Sequence, residues 1–145
     1  GRKKRIICID GDGSLQINAQ ELQTIFTNKL PIKLIVMNNM GYGIIKQFQE
    51  LYLNARYEAS GKGVTNPDFK NLAFAYKIKY FSIDENKKII KTIKNFLNYS
   101  KASFLEVKIN PNQKIIPKLK FGDSIENLSP YLPKKEMKKN MISSK

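Results

Sequence analysis

The chain has 145 residues, 41% hydrophobic and 26% charged, a balance that fits one globular domain with its own core and excludes a disordered or fibrous chain. Lys and Arg number 26 against 12 Asp and Glu, a formal charge of +14, and the absence of histidine removes Ser-His-Asp and His-metal constellations. No apolar run approaches the ~20 residues that span a bilayer, and the basic N-terminal stretch lacks the apolar length of a signal peptide, so a cytoplasmic protein with no membrane partner is expected.

Residues 5–10, RIICID, are a β-branched run bounded by Gly11 and Gly13 and predict a buried strand, with Cys8 inside it as a small buried hydrophobe rather than a reactive thiol. A helix is expected next, capped by Asn18 with Glu21 in capping-box position, and carried by Leu22, Ile25 and Phe26 to Leu30 and Pro31. Residues 33–37, KLIVM, predict a second buried strand, and residues 38–43, NNMGYG, a turn. Ile44, Ile45, Phe48, Leu51 and Tyr52 recur at helical spacing. Residues 54–66 read as loop, and Pro67 as the first position of a helix with Phe69, Leu72, Ala73 and Tyr76 on its apolar face. Residues 80–83 predict a third strand, residues 85–99 a longer helix with Ile89, Ile90, Ile93, Phe96 and Leu97 inward, and residues 104–109 a fourth strand.

Strands alternating with helices predict an α/β fold, a parallel sheet with helices on both faces, over residues 1–110. Residues 111–145 carry Pro111, Pro117, Pro130 and Pro133 among lysines and read as an extended basic C-terminal arm, with a frayed terminus an equal reading for residues 134–145. The net charge invites a nucleic-acid partner. However, Lys62, Lys70, Lys77, Lys79, Lys87, Lys88, Lys91 and Lys94 are dispersed and no nucleic-acid motif accompanies them, so that partner is not expected.

Residues 10–21, DGDGSLQINAQE, fit a calcium-loop template at its ligand positions. Leu15 stands where the loop needs glycine, and a strand precedes where the motif needs a helix, which excludes it. A plain strand-to-helix turn with Asp10 and Asp12 facing water is the simpler reading. Against it stands the polar cluster after the next strand: the 24 residues between Gly13 and Asn38 suffice for a crossover helix and a parallel return strand. Asp12 and Asn39 would then share one sheet edge, offering hard oxygen donors suited to Mg²⁺, while the glycines admit a phosphate to the backbone. No GK[ST] follows, and GYGIIK lacks the third glycine of a dinucleotide fingerprint. A divalent ion bridging a diphosphate is the reading left.

GDGS at residues 11–14, followed at this interval by Asn38 and Asn39, resembles the cofactor motif of thiamine-diphosphate-dependent enzymes. The segments CIDGDGSLQINAQELQTI, LPIKLIVMNN, GIIKQFQ, RYEA, NPDFKNLAFAY and SFLEVKI together resemble the C-terminal, pyrophosphate-binding region of acetolactate synthase-like enzymes over about residues 5–110. The resemblance implies thiamine diphosphate and Mg²⁺ as cofactors. Metal ligands would be the side chains of Asp12 and Asn39 and the backbone carbonyl of Gly41; Gly11, Gly13, Ser14, Tyr42 and Gly43 would line the diphosphate. It further implies a 2-keto acid substrate whose acyl or two-carbon unit passes to an acceptor carbonyl, in surface-polysaccharide or branched-chain amino acid synthesis. A homo-oligomer is implied, with the catalytic glutamate on the pyrimidine-binding domain of a partner subunit. The chain would thus be a C-terminal fragment, with no catalytic residue of its own and inactive alone.

Two positions depart from the family pattern. Ile45 stands where related decarboxylases carry an acid, which weighs against a pyruvate-decarboxylase-like mechanism, and Gln47-Phe48-Gln49 replaces Gln-Trp-Gln, keeping an aromatic wall of different shape. The tail from Ile116 resembles acetolactate-synthase-like proteins encoded for surface-polysaccharide synthesis. Alternatives are a thiamine-diphosphate-dependent 2-keto acid decarboxylase and a basic α/β binding or assembly module without catalysis.

Overall fold

The structure, a computed structural model, describes residues 5–61 and 63–141. Lys62 and the last four residues of the expected arm lie outside it. The chain divides into two units, residues 1–113 and 114–145.

The first unit is built on strands β1 (Ile7–Gly11), β2 (Lys33–Asn38), β3 (Lys79–Ile83) and β4 (Ser103–Lys108), all parallel, in the order β1-β2-β4-β3. Side chains alternate across a strand, so Leu34, Val36 and Phe104 face one side while Ile35, Leu105 and Val107 face the other. Each side is covered by helices. Leu15 of α1 (Asp12–Ile17), Leu22 of α2 (Glu21–Thr27) and Phe69 and Ala73 of α4 (Phe69–Ala75) close the first core. Phe96, with Ile89 and Leu97, brings α5 (Ile89–Asn98) onto the second. The aromatic side chains Phe69, Phe96 and Phe104 are fully buried, each contributing about 1.5–3 kcal/mol through its burial. The α/β architecture is the one the alternation predicts.

Strand β1 departs from expectation. Its side chains are not buried: Ile7 and Ile9 are 45% and 67% exposed, and Cys8 is exposed as well. The reason is position, since β1 pairs only with β2 among the described residues and leaves its other edge open. The helix expected from Asn18 is two: α1 starts at Asp12, Asn18 ends it, and α2 starts at Glu21 with no side-chain cap at Gln20. The Asn18 carbonyl accepts the Glu21 N–H at 3.0 Å, while its side-chain oxygen accepts Gln20 Nε2 and caps no backbone N–H. Pro67 is not the first residue of α4; Asp68 caps that helix, its carboxylate accepting the Asn71 N–H at 2.8 Å. The 85–99 helix opens with a 3₁₀ turn, Asn86–Lys88.

Lys33, in the middle of what reads as an apolar run, is buried at the start of β2. Its ammonium donates to the carbonyls of Lys101, at 2.6 Å, and Tyr99, which ties β2 to the α5–β4 connection. Burial, then the charge of Arg5, holds its pKa below the usual lysine value. By contrast, α3 (Gly43–Tyr52) leaves most of its apolar face open: Ile44, Ile45, Phe48 and Leu51 are 69%, 46%, 39% and 45% exposed.

The second unit is not wholly extended. Lys118 and Ser129 form an antiparallel bridge, and Lys134–Asn140 is a helix, α6. Glu136 in its first turn and Lys138 and Lys139 in its last match the helix dipole, whereas Lys134 and Lys135 at its start oppose it. Among the described residues no helix is long and apolar enough to cross a membrane.

Candidate functional site

The register pairs Gly11 with Met37, and Met37 with Val107, so the carboxyl ends of β1, β2 and β4 lie level. Ligand crevices of open α/β sheets form at such ends. Asp12 follows β1 directly and is buried, 2% exposed, instead of facing water. Its carboxylate is held on both sides. Oδ1 accepts the Gly13 N–H at 2.9 Å; Oδ2 accepts the Gly41 N–H at 2.9 Å and Asn66 Nδ2 at 2.6 Å.

The NNMGYG turn delivers that Gly41 N–H. Asn38 Oδ1 accepts the Met40 N–H at 2.9 Å, and Met40 takes the left-handed conformation at φ 63°, which a side chain adopts only where surrounding bonds enforce it. The chain thereby reverses and brings Gly41 back onto Asp12. Between them stands Asn39. Its amide oxygen faces Asp12 Oδ1 at 3.2 Å and the Gly41 carbonyl oxygen at 2.7 Å, while Nδ2 lies toward Gly43. Three acceptors facing one another repel. Two arrangements relieve this: the amide turns over and donates to both oxygens, or a cation sits among all three.

Gly11, Asp12, Gly13, Ser14, Asn39, Gly41, Tyr42 and Gly43 all line one cleft of about 500 Å³, with Met37, Ile44 and Ile45 beside them. Every site residue expected from the sequence is therefore in one place. Two of the glycines are dictated by packing: a Cβ on Gly13 would lie 2.3 Å from the Tyr42 ring, and one on Gly43 would lie 2.3 Å from Asn39 Nδ2. Tyr42 packs against the glycine turn. Phe48 lies outside the cleft lining and pairs with Tyr52, ring centroids 5.1 Å apart.

Sequence reasoning passed over several participants. Asn66, in the loop before α4, donates to Asp12 and also to Asn38 Oδ1 at 3.1 Å, and its own oxygen accepts Gln16 Nε2 at 2.8 Å. Glu106, buried on β4, accepts Asn38 Nδ2 at 2.6 Å and the Tyr80 hydroxyl. Burial, reinforced by that bond, pushes the Tyr80 pKa above its ordinary value. A signal existed for Glu106, a lone acid inside SFLEVKI. Asn66 had none. The loop is fixed from α3 as well: buried Gln49 donates to the Glu58 carbonyl at 2.8 Å and accepts the Ser60 hydroxyl.

A mixed set of carboxylate, amide and carbonyl at the end of a parallel sheet is a donor set for a hard cation. Among the described residues no group of three His, Cys, Asp or Glu side chains could hold a metal. Comparison with known proteins bears on the same residues, because residues 1–107 match the family described as "Thiamine pyrophosphate enzyme, C-terminal TPP binding domain". The chain belongs to that family.

Relatives of this thiamine pyrophosphate enzyme domain include the acetolactate synthase large subunit of Porphyra purpurea, 34% identical over 119 residues, 82% of this chain and 20% of that one. The acetolactate synthase isozyme 2 large subunit of Escherichia coli K12 is 31% identical over 128 residues, 88% of this chain and 21% of that one. Among solved structures, a benzoylformate decarboxylase from Polynucleobacter necessarius superposes with a TM-score of 0.67 at 27% identity, covering 79% of this chain and 21% of that one. The thiamine diphosphate-dependent 4-hydroxybenzoylformate decarboxylase of Rhodococcus jostii RHA1 gives 0.66 at 26%, covering 76% and 20%. The domain thus spans about a fifth of the length of each of these proteins.

Proposed function

We propose that this chain is the part of an acetolactate synthase-like enzyme that holds Mg²⁺ and the diphosphate of thiamine diphosphate. The observation that carries the reading is the convergence of Asp12 Oδ1, the Asn39 amide oxygen and the Gly41 carbonyl. Cation–oxygen bonds of about 2.1 Å at right angles put neighbouring ligand oxygens about 3.0 Å apart. The separations of 3.2 Å and 2.7 Å from the Asn39 amide position to the other two oxygens bracket that figure, which supports an ion there.

Asp12 supplies the charge and stays fixed through its three N–H donors; Asn39 and Gly41 supply neutral oxygens. The first backbone N–H groups of α3, at Gly43, Ile44 and Ile45, are the ones a helix leaves unpaired internally, and these residues line the cleft, which supports a diphosphate there. Gly13 and Gly43 keep the walls free of side chains. When bound, thiamine diphosphate supplies the carbon nucleophile and electron sink for cleaving a 2-keto acid. Among the described residues lining the cleft, Asp12 is the one acidic side chain, and its oxygens are engaged. No group here is poised to move a proton. The reading therefore assigns that role to the pyrimidine-binding domain of a partner subunit in a homo-oligomer; the open apolar face of α3 supports such a neighbour.

The substrate reading is a 2-keto acid whose acyl unit passes to an acceptor carbonyl. A decarboxylase that releases the aldehyde is favoured by the names of the two structural relatives. It is opposed by Ile45, which brings a hydrocarbon side chain to the cleft where related decarboxylases are expected to carry an acid. The test is thiamine diphosphate binding by the full-length protein titrated with Mg²⁺. Asp12→Ala should abolish the magnesium dependence, and a variant that keeps it would refute the metal site. Pyruvate turnover to acetolactate rather than acetaldehyde separates the two activities.

A further inference from the structure

Asn66, Asn38, Glu106 and Tyr80 form a hydrogen-bonded chain that leads away from Asp12, and beyond the Asn66 donor the cofactor reading does not use it. Its polarity is fixed at one end by chemistry. A carboxylate only accepts, so Glu106, which takes the Tyr80 hydroxyl on Oε2, obliges Asn38 to turn Nδ2 toward Oε1, at 2.6 Å. Asn38 must then present its oxygen on the other side. There it accepts the Met40 N–H at 2.9 Å and Asn66 Nδ2 at 3.1 Å. Asn66, with Gln16 donating to its oxygen at 2.8 Å, can give Asp12 only N–H. Oδ2 of Asp12 is thus occupied by donors, and Oδ1 is the oxygen that faces Asn39.

We propose that Glu106 is a positioning residue for the cation site, acting through the ordered amides of Asn38 and Asn66. This rests on the metal reading above and deepens it. A side-chain amide has nearly the same shape either way round, so shape alone does not hold Asn38 in the required sense. If Asn38 turned over, its NH₂ would meet the NH₂ of Asn66 and the N–H of Met40, and Asn66 would leave Asp12. Outer partners of metal ligands typically carry about a 10- to 100-fold effect on affinity.

The test is to exchange acid and amide. Asn38→Asp alone sets two carboxylates face to face with no N–H between them, and Mn²⁺ affinity of the full-length protein should fall about 10- to 100-fold. Adding Glu106→Gln restores every bond: the amide at position 106 donates to the carboxylate at position 38 and accepts the Tyr80 hydroxyl. That carboxylate still accepts from Met40 and Asn66. The double variant should therefore bind Mn²⁺ within a few-fold of the parent, and its metal-free thermal unfolding should return toward the parent's. A merely structural role for Glu106 would recover the unfolding temperature without the affinity. A double variant that binds no better than Asn38→Asp, or fails to fold, overturns the proposal. Asp12→Ala runs alongside. Unchanged affinity in that variant removes the cation site and this inference together, whereas loss in Asp12→Ala with no recovery in the exchanged pair removes this inference alone.

Discussion

Asn66 and Asp12, 54 residues apart in sequence, meet side chain to side chain at 2.6 Å, and this bond ties the loop before α4 to the first residue of α1. The acceptor is a buried carboxylate, so the bond is charge-assisted and stronger than one between neutral groups. Asn66→Ala leaves Asp12 Oδ2 with the Gly41 N–H alone and takes a donor from Asn38. Stability should fall by about 1–3 kcal/mol in urea unfolding. Mn²⁺ affinity should fall about tenfold or more. Loss of stability with undiminished affinity would show that the loop is held here for packing only.

The close fit of Gly13 to Tyr42 gives a coupled pair. Gly13→Ala forces a methyl to 2.3 Å from the ring, an overpacking that should cost about 1–3 kcal/mol unless the ring moves. In a Tyr42→Ala background the same methyl has room. The cost of Gly13→Ala should therefore drop sharply in that background, a coupling that a double-mutant cycle on unfolding free energies reads directly. Equal costs in the two backgrounds would mean that the ring does not rest on the glycine.

The two polar turns were legible because each follows an apolar strand and together they enclose enough residues for a crossover; the register of β1 on β2 then brings Asp12 and Asn39 together. Other features were not. A buried strand and an open edge strand have the same local pattern, so IICID says nothing about whether a neighbour lies beside it, and Ile9 and Cys8 are exposed. Helix α1 was hidden by Gly11 and Gly13, which read as a turn, although Gly13 is needed within the helix for the ring of Tyr42. Asn66 sits among ordinary loop residues, and its partners Gln16, Asn38 and Asp12 are all remote in the chain, so only the fold reveals it.

Tyr80 supplies a pH signature. Burial first, then the bond to Glu106, raises its pKa above the ordinary 10.0. Above that pH the unfolded chain gives up the phenolic proton while the folded chain keeps it. The folded state then binds more protons, and stability falls as pH rises. Below about pH 10 the contribution is fully present. Lys33 works in the opposite sense, its lowered pKa making stability rise with pH up to the ordinary 10.5, but it is common to parent and variant. Urea midpoints measured from about pH 8 to about pH 11 should therefore show an alkaline decline in the parent that is shallower in Tyr80→Phe. Parallel curves would mean that the phenol titrates alike in both states.

The contact between Gly43 and Asn39 separates binding from stability. A Cβ at position 43 would lie 2.3 Å from Asn39 Nδ2, closer than atoms approach, so in Gly43→Ala the amide must swing away and withdraw its oxygen from Asp12 and Gly41. The backbone itself does not resist, since Gly43 is the first residue of α3 and not among the positive-φ glycines. Alanine there also restricts the unfolded chain, a gain of about 0.4–1 kcal/mol where the new side chain fits. Stability should accordingly change little, while Mg²⁺-dependent binding of thiamine diphosphate weakens about tenfold or more. Opposite behaviour of the two readouts is what an amide serving as an ion ligand requires, because a residue kept for packing would lose both together. Titration of the folded Gly43→Ala protein with Mn²⁺ decides it: affinity equal to the parent's would mean that the Asn39 oxygen is not a ligand.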